Sequence, residues 1–183
     1  MRLRAAAATV ALLACVAAAP AHATSRWSSL NVGVDAGIMS GAGPQGLPLG
    51  RGPYAGVYVF GESALGMEFG GALEFASSND ALHTKFTSLG VIARLSPTPE
   101  DYRVFVQLGA SMYHATYDPD PGILPPDELT RPGGSFGIGW DMYQQPRWAA
   151  GLLVNYTGVL IARRAARSYV TVALNFTLKP PAY

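Results

Sequence analysis

Residues 168–178 read Ser-Tyr-Val-Thr-Val-Ala-Leu-Asn-Phe-Thr-Leu. Val170, Val172, Leu174, Phe176 and Leu178 fall on one side of an extended chain, and Thr171, Ala173, Asn175 and Thr177 on the other. Successive side chains of a strand point to opposite faces, so this alternation predicts a β-strand with one apolar face. The same period recurs toward the N-terminus. From Trp148, Ala150, Leu152, Val154 and Tyr156 oppose Gly151, Asn155 and Thr157. Phe136, Ile138, Trp140 and Met142 alternate with Ser135, Gly137, Gly139 and Asp141, and Val104, Val106, Leu108 and Met112 with Arg103, Gln107, Gly109 and Ser111. Leu89, Val91 and Leu95 oppose Ser88, Gly90 and Arg94. Phe69, Leu73 and Phe75 oppose Glu68, Ala72 and Glu74, and Val32, Val34 and Ile38 oppose Asn31, Asp35 and Gly37. In the segment from Tyr54 to Glu62 the two faces compete, Tyr58 and Phe60 against Val57 and Val59. No helical period appears after Ala23. The expectation is eight strands, most of them about 9 to 12 residues, the length a tilted strand needs to cross a bilayer.

The connections carry a second pattern. Short turns are expected around 63–64, 96–101 and 144–147, and longer segments near 40–53, 77–84, 114–133 and 161–168. Short alternating with long, on an even strand count, predicts an eight-stranded antiparallel up-and-down transmembrane β-barrel with tight turns at one end and loops at the other. The 13 basic and 12 acidic residues (net +1) exclude a nucleic-acid binder held by charge, so no nucleic-acid partner is expected.

A soluble lipocalin-like barrel would show the same alternation with its faces exchanged, and a periplasmic binding barrel of that kind is one alternative. Composition favours the membrane form. Only 14% of residues are charged, against roughly a quarter in an ordinary soluble domain. Lysine occurs only at 85 and 179. Aromatic residues gather at strand ends, as an interfacial girdle requires. Trp27, Tyr102, Trp148 and Phe176 are expected at the turn end, and Tyr54, Tyr113 and Tyr169 at the loop end.

The N-terminus reads as a targeting segment. Met-Arg-Leu-Arg precedes an apolar run from Ala5 to Ala19, and Ala21-His22-Ala23 is a small-x-small cleavage pattern. These features predict a signal peptide over 1–23, cleaved after Ala23, and a barrel domain over 24–183. Leu12-Leu13-Ala14-Cys15 is similar to a lipobox, with Leu13 a poor fit, so lipidation at Cys15 is the alternative processing.

Two stretches also carry a resemblance. Gly133-Gly134-Ser135-Phe136-Gly137-Ile138-Gly139-Trp140-Asp141 leads into a proline turn, and Ser168 to Phe176 resembles a last-strand assembly signal. In layout the chain from Trp27 onward resembles the small eight-stranded outer-membrane β-barrel proteins of Gram-negative bacteria. The resemblance implies an integral outer-membrane protein, inserted by the outer-membrane assembly machinery, with Phe176 as the signal aromatic. Members usually stop at that residue, whereas this chain continues to Tyr183. Pro180 and Pro181 make Tyr183 a poor strand residue.

If the faces are assigned correctly, Asp35, Glu68, Glu74, Arg94, Arg103 and Asp141 point inward. An eight-stranded lumen is just wide enough for side chains, and buried charges must pair. Arg94 and Arg103 are therefore expected to bridge to carboxylates on neighbouring strands, Glu68 and Glu74 first. Such a network fills the interior; the alternative is a narrow channel for small solutes or ions. Some barrels of the resembled family deacylate lipid A through a lipid-facing His and Ser two apart. The nearest stretch here is Asn155-Tyr156-Thr157, where Asn cannot act as a base, so no enzyme is expected.

The loops carry the remaining candidates. Arg163, Arg164 and Arg167, with Arg51, Arg131 and Lys85 at the same rim, form a candidate contact for lipopolysaccharide phosphates. His83, Asp80, His114, Asp118, Asp120, Asp127 and Glu128 match no EF-hand or zinc spacing, so no metal or other cofactor is assigned. Gly41–Gly52 lacks the Lys-Ser/Thr ending of a phosphate loop. The sequons at Asn155 and Asn175 place their asparagines inward. The reading is a monomer with both termini in the periplasm, in contact with outer-membrane lipids and lipopolysaccharide. Its expected role is structural, or an interaction of its loops with lipopolysaccharide or an external partner.

Overall fold

In a computed structural model, residues 30–41, 50–62, 67–79, 83–96, 103–117, 127–160 and 167–179 are described. They form β1 (Leu30–Gly41), β2 (Arg51–Glu62), β3 (Met67–Ser77), β4 (Lys85–Leu95), β5 (Arg103–Tyr117), β6 (Asp127–Gln145), β7 (Trp148–Val159) and β8 (Arg167–Leu178). Each strand pairs antiparallel with the next, and β8 pairs antiparallel with β1, which closes the barrel. Ala23, Trp27, Tyr102, Arg163, Arg164 and Tyr183 lie outside the described residues.

The pairing register sets the barrel's shape. Starting at Arg103, the partners run Asp141, Gly151, Asn175, Asp35, Gly56, Glu74, Ser88 and back to β5 at Tyr113, ten residues further along. With eight strands about 4.8 Å apart and a rise of about 3.3 Å per residue, that stagger tilts the strands by about 40°. A 12-residue strand such as β1 then rises about 30 Å along the barrel axis, the thickness of a bilayer's hydrocarbon core.

Burial is inside out. Leu174, Ile38, Ile138 and Phe136 are exposed by 65%, 60%, 52% and 49%. Asn31, Asp35, Gln107 and Asn155 are fully buried. A soluble barrel would have these two groups exchanged. The registers also decide β2. Tyr58 lies between Gly33 and Ala72, and Phe60 between Asn31 and Gly70. These small neighbours leave room inside for both rings, while Val57 and Val59 face outward.

The expected loop-end girdle requires correction. Tyr54, Tyr113 and Tyr169 are 3%, 1% and 1% exposed and point into the lumen. Strand parity puts Tyr113 on the face of Ser111 and Gln107, and Tyr54 packs with Met39, Phe86, Ala115 and Tyr169. They fill space left by inward glycines and alanines such as Gly37, Gly56, Ala76, Ala115 and Ala173. At the turn end Trp148 and Phe176 do face outward, with ring centroids 5.9 Å apart.

The connection expected over 114–133 is also mostly strand. β5 and β6 stay paired to Tyr117↔Asp127, beyond the last β4–β5 pair (Lys85↔Thr116) and the last β6–β7 pair (Gly133↔Val159). His114, Asp127, Glu128 and Arg131 therefore sit on strands. Outward positions there are polar because they stand above the apolar band, where alternation no longer marks a strand. Nor do lengths alternate strictly: the turn-end connection 96–102 is as long as the loop-end ones at 78–84 and 160–166. A bulge at Asp141/Tyr143 sends Met142 and Tyr143 outward in succession.

Two glycines make the lumen's packing possible. A Cβ on Gly139 would lie 2.0 Å from Cζ of Phe105, and one on Gly56 2.6 Å from the Tyr58 hydroxyl. Gly139→Val should cost about 1–3 kcal/mol by overpacking. Leu174→Arg, on the lipid face, should cost about 2–4 kcal/mol. Urea unfolding in lipid micelles, followed by heat-modifiable gel migration, checks both. A neutral Leu174→Arg would contradict a lipid-facing exterior.

Candidate functional site: the lumen and the outer rim

The lumen's polar groups form three tiers. Nearest the turns, Arg103 opens β5 opposite Asp141 of β6. Its Nη2 makes an ion pair with Glu68 of β3, and its Nε donates to Ser96 Oγ at 2.9 Å. Glu68 is 2% exposed, so the guanidinium offsets a charge that burial would otherwise penalise heavily.

Arg94 of β4 forms the next tier. Its Nε donates to Gln107 Oε1 at 2.7 Å. The guanidinium carbon lies 5.2, 4.8 and 4.7 Å from the ring centroids of Tyr58, Phe60 and Phe105. All three rings are buried, so Arg94 and its aromatic partners pack across the lumen at this height. Ring faces attract a cation, more strongly once water is excluded.

Glu74 organises the tier toward the loops. Its Oε1 accepts from Tyr54 at 2.9 Å and from Tyr58 at 3.3 Å, and its Oε2 accepts from Ser88 at 2.9 Å. The two tyrosine hydroxyls are 2.7 Å apart. Asp35, on the same hydrogen-bonded row as Glu74 across Gly56, accepts from Asn175 Nδ2.

All six charged residues read as inward lie on the lumen face, with Arg103 part-buried at the turn end. Arg103 and Glu68 are brought together. Arg94 and Glu74 are not: Arg94 meets an amide and three rings, Glu74 meets hydroxyls. The registers explain this, since Arg94 stands opposite Glu68 and Gln107, whereas Glu74 stands opposite Gly56 and Ser88. The alternation did not name Phe105, Tyr58 or Phe60 as partners of Arg94. Phe105 was detectable in principle, because it shares strand parity with Arg103 and Gln107.

At the loop-end rim, Arg51 and Lys85 are exposed, and Arg131 is half-buried opposite Tyr113. Arg167 opens β8 opposite Val159. On the outer face His114 Nδ1 is 3.1 Å from Thr130 Oγ1. Asn155, in the stretch compared with a lipid-facing catalytic pair, is buried in the lumen. Among the described residues no three His, Cys, Asp or Glu side chains gather as metal ligands. Asp80, Asp118 and Asp120 lie outside them.

Arg103→Ala leaves Glu68 buried without its partner. It should destabilise the folded barrel by about 3–5 kcal/mol, and Glu68→Gln/Arg103→Ala should recover part of that loss. Urea midpoints of the three proteins in the same micelles test this; equal midpoints for wild type and Arg103→Ala would show that the pair contributes nothing.

Neither a protein-family model nor a curated protein sequence matches the chain. Solved structures do. Neisserial surface protein A (NspA) aligns with a TM-score of 0.70 at 13% identity, over 82% of this chain and 97% of that one. The N-terminal β-barrel domain of Pseudomonas aeruginosa OprF aligns at 0.52 and 14% identity, over 82% and 97%. Ail of Yersinia pestis, in complex with the heparin analogue sucrose octasulfate, aligns at 0.50 and 13% identity, over 82% and 99%. At these identities the likeness is one of fold. The chain has the fold of the small eight-stranded outer-membrane β-barrels, and its apolar exterior over a polar lumen makes it an integral membrane barrel of that type.

Proposed function

We propose that this protein is exported by a signal peptide cleaved after Ala23 and inserted as a non-enzymatic monomer into the outer membrane. Its turn end faces the periplasm, and its loop end contacts lipopolysaccharide or an external partner. The observation that carries this reading is the division of labour in the barrel. Arg94, Tyr58, Phe60 and Phe105 pack together in the lumen, while β6, paired with β5, continues toward the loops from Gly133 to Asp127 beyond its last pair with β7. Function then belongs to the rim. Arg51, Lys85 and Arg131, together with Arg163, Arg164 and Arg167, supply the guanidinium and ammonium groups suited to phosphate oxygens. A sulfated sugar bound to Ail is a polyanion of comparable chemistry on a similar fold. Phe176, facing outward near the turn end of β8, is accessible to the assembly machinery as the signal aromatic.

Replacing Arg163, Arg164 and Arg167 by Ala should weaken binding of purified lipopolysaccharide by on the order of a hundredfold at low salt, with a smaller effect as salt rises. An unchanged affinity would remove these residues from the proposal. A narrow channel is the second reading, favoured by Asn31 and Asn155, whose buried side-chain amides have no hydrogen-bond partner among the described residues. Planar-bilayer recordings of the reconstituted protein should be silent, and reproducible conductance steps would replace the closed-lumen reading.

A further inference from the structure

Two lumen-facing charges at the turn end stand apart from the Arg103–Glu68 pair. Asp141 is 5% exposed, and its Oδ1 has no hydrogen-bond partner among the described residues. Arg103, which stands opposite Asp141 in the register, is taken up by Glu68 and Ser96. Lys179 follows the outward Leu178, so strand alternation turns it toward the lumen, where it is half-buried. The β7–β8 ladder extends to hold it there: the Lys179 amide donates to the Arg147 carbonyl at 2.8 Å.

The register sets the two residues facing each other over one opening. The row through Asp141 crosses Gly151 to Asn175, and Lys179 lies further along β8 toward the turns. At the barrel's tilt this puts Lys179 roughly 4 Å nearer the turns than Asp141 and about a third of the way around the bore. Both side chains then point inward over the turn-end mouth, and the charge of Lys179 reaches Asp141 together with those of Arg103 and Arg94. Lysine suits such a position, because its flexible stem carries a compact, mobile charge. Just inside the mouth, on the lumen face, lie Asn31 and Thr177, both buried.

From this geometry we infer that Lys179 and Asp141 form a latch across the turn-end mouth of the lumen. The lysine swings between solvent and the Asp141 carboxylate, and the contact shuts the entrance to the polar section of the bore below the Arg94 tier. The short continuation of β8 past Phe176 thereby acquires a role: it carries the moving half of the latch. The inference rests on the lumen facing described above, and neither on which end of the barrel faces outside nor on conductance.

The test is the rate at which a neutral thiol reagent, N-ethylmaleimide, reaches a cysteine placed behind the latch. Once residues 1–23 are removed the chain has no cysteine of its own, so T177C in the full mature protein, folded in non-ionic detergent, supplies a unique probe. Against T177C alone, T177C/K179M and T177C/D141N should react on the order of tenfold faster, as expected from losing one charge-assisted contact. T177C/K179R, which keeps the charge, should stay slow. T177C/D141N/K179M should be no faster than either neutralised variant, since both remove the same contact. Losing a nearby positive charge raises a thiol's pKa and slows its reaction, so the predicted acceleration reports access. Raising salt to about 1 M, where charges are screened within a few ångströms, should accelerate T177C itself. N31C, read in the same way, replaces T177C if that variant does not fold. K179M reacting at the parent rate overturns the latch, as does K179R reacting as fast as K179M. So do rate increases that multiply when D141N and K179M are combined, and a parent rate indifferent to salt.

Discussion

In hydrocarbon, a backbone N–H or C=O without a partner costs several kcal/mol, and there is no water to supply one. The pairing of β1 with β8, from Val32↔Leu178 to Gly41↔Tyr169, is therefore the contact on which the rest depends. It removes the two edges that eight sequentially paired strands would otherwise leave in lipid. Closure at a stagger of ten residues also fixes the tilt and the narrow bore. The bore then dictates which inward residues can be large. Phe105 is accommodated because Gly139 lies under its ring, and Tyr58 because Gly56 leaves space for its hydroxyl.

The lumen is a polar core held to the rules of any buried site. A buried carboxylate needs a cation or several donors, and a buried guanidinium needs acceptors or ring faces. Glu68 takes the first route through Arg103; Glu74 takes the second through Tyr54, Tyr58 and Ser88. Arg94 combines one amide acceptor with three rings. Tyrosines supply both bulk and donors, which is why those at the loop end work better inside than as an outer girdle.

Chemistry available to partners is thereby pushed to the two ends. The side wall meets lipid, and Arg94 packs against three rings in the middle of the bore. What remains are the loop-end rim, raised on one side by the β5–β6 hairpin, and the turn-end rim with its bulge and aromatic stack. The resemblance to NspA, OprF and Ail in fold, at identities where little else is shared, fits a scaffold whose wall is constrained by lipid and whose ends are free to vary.

The eight strands, their facing in seven cases and the polarity of the wall were legible in residues 30–178, because strand alternation is local: each side chain's face follows from its neighbours two positions away. That alternation named Asp35, Glu68, Glu74, Arg94, Arg103 and Asp141 as inward. It could not say that Glu74 would meet tyrosines and Arg94 rings, nor settle the facing of Tyr58 and Phe60, nor show that 114–117 and 127–133 continue as strand. Those outcomes depend on which residues stand opposite one another around the ring. That is set by a stagger accumulated over eight pairings and closed by β1 on β8, and no single stretch of chain contains it. Sequence alone determined a surface made for lipid; the closed register decided what fills the space behind it.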